Sequence, residues 1–319
     1  MEEQLLPRAR VAVAELSDRD SIAAAAEGAT ILVVGAVEPL DAETLARIPS
    51  VVAVIRRGIG VDNIDLDAAR RLGILVGNVP AASVEEVSDH ALALLLAGLR
   101  RLSEFDAAAR ATDGAATARI GSSLPPLSST TLGIVGFGRI GRALARKARS
   151  VFGEIIACDP LLELRSMHDS VRIVPLDEVV ARSDAISLHA PGGAVVIDER
   201  ALRAVRPGVV IVNTARGSLV DEVALARAVA DGRVGAVGLD VTLHEPLADE
   251  DPLRTLPGAI LTGHAAAKGK ESAASLRRGV IDNIEDVLDG RSPRFLANPD
   301  VLESARLRLA VSTEKENPR

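Results

Sequence analysis

The segment Gly133-Ile-Val-Gly136-Phe-Gly138-Arg139-Ile140-Gly141 is the strongest chemical signal in the chain. An apolar strand pattern enters a Gly-x-Gly-x-x-Gly turn, and a helical pattern follows. Each glycine there has a physical task. Gly136 permits the tight turn, Gly138 lets a pyrophosphate approach the backbone, and Gly141 lets helix and strand pack closely. The start of the helix offers unpaired N–H groups and the positive end of its dipole to the anion. Arg139 adds a candidate charged contact, and Ile140 belongs to the same cofactor-binding set.

A second strand pattern ends at Asp159, 18 residues beyond Gly141. A carboxylate at that position accepts hydrogen bonds from the adenosine ribose hydroxyls and repels the additional phosphate of NADP. Pro160 follows it rather than an arginine, so NAD is the expected cofactor. Glycines alone also make ligand-free strand-to-helix corners; strand, helix and acid together favour the nucleotide. His189, in His189-Ala190-Pro191, is read as lining the adenosine pocket, and Cys158 as a small buried strand residue.

Three further polar residues, Arg216, Glu245 and His264, each follow an apolar run that reads as a buried strand. Open α/β sheets place their ligands at such strand ends. A guanidinium is a permanent planar donor suited to carboxylates, and an imidazole exchanges protons near neutral pH. A solvated Arg–Glu ion pair is the plainer alternative for Arg216 and Glu245. His90 reads as a packing residue of a long helix, His168 as part of a polar turn, and His244 as a bystander beside Glu245. No cluster with metal-ligand spacing is read.

The elements that must position these residues follow from hydrophobic patterning. Val11 to Ala14, Ile31 to Val34 and Val51 to Ile55 read as strands separated by Ala-rich helices. A helix runs from about Ser83 to Leu102, opened by a Ser83/Glu86 capping pattern. From Thr112 to Thr130 the pattern dissolves into small residues and Pro125-Pro126, which marks a linker. Leu132 to Val135, Ile155 to Cys158, Ala185 to Leu188, Val209 to Val212, Val234 to Leu239 and Ala259 to Leu261 form a second set of strands. A helix from about Ser272 to Leu288 ends at Gly290, and a return segment and frayed tail complete the chain. Alternating strands and helices predict parallel sheets covered on both faces. The expected fold class is therefore α/β, with two doubly wound parallel-sheet domains.

The length of 319 residues suits two domains. With 48% hydrophobic and 25% charged residues the chain reads as globular, not disordered. Four Phe and no Tyr or Trp mean that aliphatic side chains fill the cores and that no ligand stacks on Tyr or Trp. A net charge of −7 argues against a nucleic-acid partner. One cysteine, no secretion-signal core in Met1 to Arg10 and no apolar run of roughly 20 residues point to a cytoplasmic protein without a membrane partner.

From about Val11 to Asp300 the chain resembles the D-isomer-specific 2-hydroxyacid dehydrogenases, a family that includes phosphoglycerate, glyoxylate and formate dehydrogenase relatives and the C-terminal-binding-protein corepressors. The most specific stretches are Gly136 to Gly141, Asn213-Thr-Ala-Arg-Gly-Ser-Leu-Val-Asp-Glu222, Gly238-Leu-Asp-Val241 and Asn78-Val-Pro-Ala-Ala-Ser-Val-Glu-Glu86. The last leans toward the corepressor-like branch. The resemblance implies two Rossmann-like domains with the active site in the cleft between them. Hydride would pass between NAD and C2 of a small D-2-hydroxy or 2-oxo acid. Arg216 would bind the substrate carboxylate and polarise the carbonyl, His264 would be the acid/base, and Glu245 would hold its ring. Asp240 would anchor the nicotinamide amide, with Thr214 in the cofactor set. Arg57-Gly58-Ile59-Gly60 and Asn78 would receive the substrate carboxylate.

Lys268 and Lys270 follow His264 closely in a protein with four lysines, and Arg56 and Arg57 adjoin the glycine loop. A substrate with a second anionic group (phosphate, phosphonate or carboxylate) is one expectation; solvated surface charge is the other.

The chain also departs from the family. The unit that usually precedes Val11 to Ala14 is expected to be missing or replaced by ten residues, and the first sheet one strand short. The loop from Pro191 to Ile197 is shortened. Gly263 stands where proline commonly precedes the histidine, which would place His264 less rigidly. No regulatory module is expected after Arg319. The expected domains are residues 1–101 with 290–319 for substrate and 102–289 for NAD, in a homodimer. An NAD-binding corepressor-like scaffold with little turnover is the competing reading.

Overall fold

The computed structural model describes residues 8–302. The chain divides into two compact units, one ending at Ser83 and resuming at Gly269, the other spanning Val84–Lys268. The first unit is therefore built from two chain segments.

In the larger unit eight strands form one sheet. These are β4 (Thr131–Val135), β5 (Glu154–Cys158), β6 (Met167–His168), β7 (Val171–Ile173), β8 (Ala185–Leu188), β9 (Val209–Asn213), β10 (Val234–Leu239) and β11 (Ala259–Leu261). Their spatial order is β11-β10-β9-β8-β4-β5-β7-β6, parallel throughout except for the β6–β7 pair. From β4 the chain winds outward through β5 and β7, then returns to β8 on the other side of β4 and winds away through β9 to β11. The carboxyl ends of β4 and β8 thus flank the point where winding reverses, the position at which such sheets bind ligands. Buried Val, Ile and Leu on both faces separate two aliphatic cores, one around Ile186, Leu225 and Val237, the other around Leu95, Ile134 and Leu144.

The helix Val84–Leu99 packs on the second face because small residues allow close approach. A Cβ on Gly98 would sit 2.7 Å from Val210 Cγ1, and one on Gly238 would sit 2.9 Å from Leu94 Cβ. Lys147, on the helix Arg139–Ala148, ties the two helices together through Ser88 Oγ at 2.7 Å and the carboxylates of Glu85 and Asp89.

The smaller unit has a three-stranded parallel sheet, β1 (Ile31–Val34), β2 (Ala53–Arg56) and β3 (Leu75–Gly77), in that order. Helix Lys270–Leu288 covers one face through Val280, Ile281, Ile284 and Val287. The opposite face buries Ile22, Leu45 and Ile74. The returning segment lies along β3: Ala297 N–H donates to Val76 O at 2.7 Å, and Asn298 bonds the backbone of both Val76 and Ile74.

Several expectations change. Val11–Ala14 forms no strand; Val13 is 86% exposed and lacks a partner row. The linker read at Thr112 to Thr130 contains the helix Gly114–Ser122, started by the Asp113 side chain accepting Ala116 N–H. His168 belongs to β6. The unit boundaries fall at Ser83/Val84 and Lys268/Gly269, not at 101/102 and 289/290, because each bounding helix packs on the other sheet from the one its sequence position suggests: Val84–Leu99 on β9 and β10, and Lys270–Leu288 on the three-stranded sheet. The tail read as frayed lies outside the described residues beyond 302. Among the described residues no helix is long and apolar enough to cross a membrane.

Candidate active site

The turn after β4 is shaped as the glycine spacing requires. Gly136 has φ +88°, and a Cβ there would meet the His189 and Ala190 backbone at 2.6–2.7 Å. A Cβ on Gly141 would come within 2.3 Å of Gly136 O. Gly138 is exposed, with nothing within 4 Å of its Cβ position, so the backbone is open at the start of the helix Arg139–Ala148. Arg139 is exposed beside it, and Ile140 is half-buried.

Asp159 stands at the end of β5. Its Oδ2 accepts Phe137 N–H at 2.8 Å and its Oδ1 accepts Leu161 N–H at 2.9 Å, which fixes the carboxylate against the glycine turn while each oxygen keeps a second acceptor position. Cys158 is a spectator: burial pushes its thiol up to about 11, and its carbonyl accepts Gly136 N–H.

Two buried polar atoms at this edge lack protein partners, His189 Nδ1 and Thr214 Oγ1. His189 Nε2 is hydrogen-bonded to Ser187 Oγ at 2.9 Å, and burial pushes the imidazole down to about 4. Orphaned buried polar atoms are rare in native proteins and point to a ligand. Together with the open Gly138 backbone they fit a dinucleotide laid across the carboxyl ends of β4, β8 and β9.

Arg216, Glu245 and His264 lie in the loops after β9, β10 and β11, adjacent strands. His264 Nδ1 is 2.7 Å from Glu245 Oε2. The ring is 46% exposed, and Nε2 has no protein partner among the described residues. Glu245 Oε1 accepts Thr242 N–H at 3.1 Å.

The Arg216 loop is clamped by Asn213, which is 1% exposed. Its side chain donates to Arg216 O at 2.8 Å and accepts Ala215 N–H at 3.0 Å. A Cβ on Gly217 would meet the Thr242 carbonyl at 2.0–2.2 Å, so glycine lets the Arg216 and Glu245 loops touch. Glu222, whose carboxyl burial pushes above its ordinary value, accepts Leu243 N–H at 2.6 Å and secures the Glu245 loop from below.

Asp240, 2% exposed, turns inward to the His264 loop. Its Oδ1 accepts the Thr262 hydroxyl at 2.5 Å and Ala265 N–H at 2.7 Å, and its Oδ2 accepts Ala266 N–H at 3.0 Å. Three of about four acceptor positions are thus filled from within the protein. Gly263 and His264 both have φ +56°. A proline ring, locked near −65°, has no access to that conformation at 263. His264 is nonetheless held, since its N–H donates to Asp240 O at 2.5 Å.

In the smaller unit, Asn78 donates to Ile59 O at 2.6 Å and Val79 N–H donates to Gly58 O at 2.9 Å. Asn78 therefore shapes the Arg57-Gly58-Ile59-Gly60 loop; Gly58 has φ +153° and Arg57 is exposed. Lys268, in the larger unit, is exposed one turn after Ala265. His244 is exposed and carries its backbone carbonyl, not its ring, into the loop, accepting the Thr242 hydroxyl.

Sequence reasoning missed the supporting residues Asn213, Glu222, Thr262 and His90. His90 is not simply a packing residue, because its Nε2 meets Thr262 Oγ1 at 2.9 Å. Asn213 and Glu222 bracket a motif already singled out, but nothing in their spacing reveals which backbone groups they hold.

A Gly-x-Gly-x-x-Gly turn beside Arg216, Glu245 and His264 on adjacent parallel strands is the arrangement of a Rossmann-like nucleotide-binding fold. Residues 92–266 match the family model described as "D-isomer specific 2-hydroxyacid dehydrogenase, NAD binding domain", and the chain belongs to that family. It is 39% identical over 287 residues to D-3-phosphoglycerate dehydrogenase of Mycobacterium leprae (strain TN), covering 89% of this chain and 54% of that protein. It is 35% identical over 271 residues to glyoxylate reductase of Korarchaeum cryptofilum (strain OPF8), covering 83% and 82%. Among solved structures, a glyoxylate reductase from Paecilomyes thermophila superposes with a TM-score of 0.82 at 30% identity, over 92% of this chain and 93% of that one. The chain spans about half the length of the phosphoglycerate dehydrogenases that it matches.

Proposed function

We propose that the protein is an NAD-dependent dehydrogenase that interconverts a small D-2-hydroxy acid and the corresponding 2-oxo acid. The observation that carries this reading is the His264–Glu245 pair, bonded through Nδ1 with Nε2 outward, beside the clamped Arg216 loop. Arg216 offers a fixed fork of donors for the substrate carboxylate and the carbonyl oxygen. Glu245 accepts at Nδ1 and so directs the reactive proton to Nε2. In reduction His264 donates that proton to the oxygen that becomes the hydroxyl; in oxidation Nε2 takes it back, a role worth about 10² to 10⁴ in rate. NAD, held by Gly136, Gly138, Arg139, Ile140, Gly141, Asp159, His189, Thr214 and Asp240, supplies or accepts the hydride when bound.

In the loop Arg57 to Gly60, shaped by Asn78, the Arg57 and Gly58 N–H groups are spent on Val34 O and Arg56 O, so the Ile59 and Gly60 N–H groups are the ones an anion would meet. Arg57 in one unit and Lys268 in the other are each exposed cations suited to a second anionic group. Replacing both by alanine is expected to raise KM for a phosphorylated or dicarboxylate substrate while sparing a plain one. An unchanged KM for all substrates removes this part of the reading. A homodimer in the cytoplasm is the proposed state; light scattering on the purified chain checks the dimer.

The deciding experiment follows NADH absorbance across plain, dicarboxylate, phosphorylated and phosphonylated 2-oxo acids, with His264→Ala as control. Turnover that the control abolishes supports the dehydrogenase. Tight NADH binding without turnover on any acid counts against it.

A further inference from the structure

His90 lies on the helix Val84–Leu99, far in sequence from the catalytic loops, yet it ends in their hydrogen-bond network. The Thr262 hydroxyl has one hydrogen, and it is spent on Asp240 Oδ1 at 2.5 Å. The 2.9 Å contact between His90 Nε2 and Thr262 Oγ1 must then be donated by the histidine, so His90 carries its proton on Nε2. Nε2 is also 3.7 Å from Asp240 Oδ1.

Asp240 pins the backbone of the His264 loop at three consecutive residues: His264 N–H to its carbonyl, Ala265 N–H and Ala266 N–H to its carboxylate. This matters because His264 is held at φ +56°, a left-handed conformation that side-chain-bearing residues rarely adopt and that persists only where the surroundings enforce it. The carboxylate enforces it only while its own orientation is fixed, and the Thr262 hydroxyl, itself oriented by His90, holds Oδ1. His90 itself has little slack. Leu94, one turn along the same helix, seats on Gly238, two residues before Asp240, and Gly98 seats on Val210. The helix is therefore registered on the sheet at the height that brings Nε2 to Thr262.

We infer that His90 is a positioning residue for His264, acting as an N–H donor through Thr262 and Asp240 and touching neither substrate nor cofactor. The inference rests on the acid/base role given to His264 above. The test uses His90→Leu, which removes the donor, and His90→Gln, whose amide N–H replaces Nε2–H, beside wild type and His264→Ala.

Two readouts are taken: steady-state kinetics with NADH and the best 2-oxo acid, and the His264 Cε1–H resonance in cofactor-free protein. His90→Leu is expected to lower kcat about tenfold with KM for both substrates within about twofold, as a misplaced catalytic group does. It is also expected to shift the His264 resonance, and His90→Gln is expected to restore both. Unchanged kcat and resonance in His90→Leu overturn the inference, as does a His90→Gln variant as impaired as His90→Leu, which would make the ring itself the requirement. Should His90→Leu fail to fold, Thr262→Val against Thr262→Ser poses the same question, with loss in the first and retention in the second. Full activity of His264→Ala would refute the functional reading instead, and without turnover on any acid the resonance alone decides about His90.

Discussion

His264 and Glu245 are joined through Nδ1 and Oε2 at 2.7 Å although they follow different strands, and both side chains are more than one-third exposed. An exposed pair of this kind adds little to folding stability. Its value lies in setting the tautomer and direction of the ring. Glu245→Gln retains the shape and loses the charge, so the melting temperature is expected to stay within about 2 °C while kcat/KM falls about 10- to 100-fold. Calorimetry and NADH kinetics on one preparation check both halves; a large fall in melting temperature would show that the pair is structural.

Gly138 and Gly141 are two glycines of one motif with different tasks. A Cβ at Gly141 would come within 2.3 Å of the Gly136 carbonyl, whereas one at Gly138 meets nothing. Gly141→Ala is expected to cost about 1–3 kcal/mol of stability and to weaken NADH binding as the turn shifts. Gly138→Ala is expected to stay within about 1 kcal/mol of wild type in stability. On the cofactor role proposed for Gly138 it should nevertheless raise the NADH Kd about tenfold or more, because its methyl would stand where the pyrophosphate is proposed to approach. Urea titration and fluorescence titration with NADH separate the two effects.

Asn213 bonds the backbone on both sides of Arg216 from a buried position. Asn213→Ala leaves Ala215 N–H and Arg216 O without that partner, a loss of about 1–3 kcal/mol in stability. If the clamp acts on catalysis through the guanidinium, the double variant Asn213→Ala/Arg216→Ala should have the same kcat as Arg216→Ala alone. A further drop in the double variant would mean that Asn213 serves another part of the site.

The central strands β4, β8, β9 and β10 were legible because they are largely buried and so read as continuous apolar runs, whereas the short edge strands β6 and β7, with Met167 and Arg172 exposed, gave no such run. The glycine turn was legible because a Cβ at Gly136 or Gly141 would strike backbone. Val11–Ala14 has the same apolar, β-branched look but no partner row, and a strand exists only where neighbouring chain accepts its hydrogen bonds. The helices Val84–Leu99 and Lys270–Leu288 were readable as helices, yet not the sheet on which each packs, since that depends on Gly98 and Gly279 meeting Val210 and Val79 across long sequence separations. Likewise Arg216, Glu245 and His264 stood out by type and by strand-end position, while His90, Thr262, Asn213 and Glu222 act through backbone and hydroxyl groups that only the folded chain brings within reach.

His189 gives the fold a dependence on pH. Its Nδ1 is shut off from solvent without a partner, and burial lowers the imidazole from 6.5 to about 4. The unfolded chain therefore binds a proton at this residue between pH 6.5 and pH 4 that the folded chain does not. Stability from this source is complete above about pH 6.5 and is lost as pH falls toward 4, by at most about 3 kcal/mol. His189→Gln keeps a donor for Ser187 and removes the titrating ring. Urea unfolding at steps from pH 7 to pH 4 should show wild type losing stability faster than the variant across that window, with the two curves running parallel above it. Because both proteins share all their carboxylates, the difference between the curves isolates His189. A difference that stays constant with pH would mean that the ring is hydrated in the folded protein, and that its unpaired nitrogen is not held for a ligand.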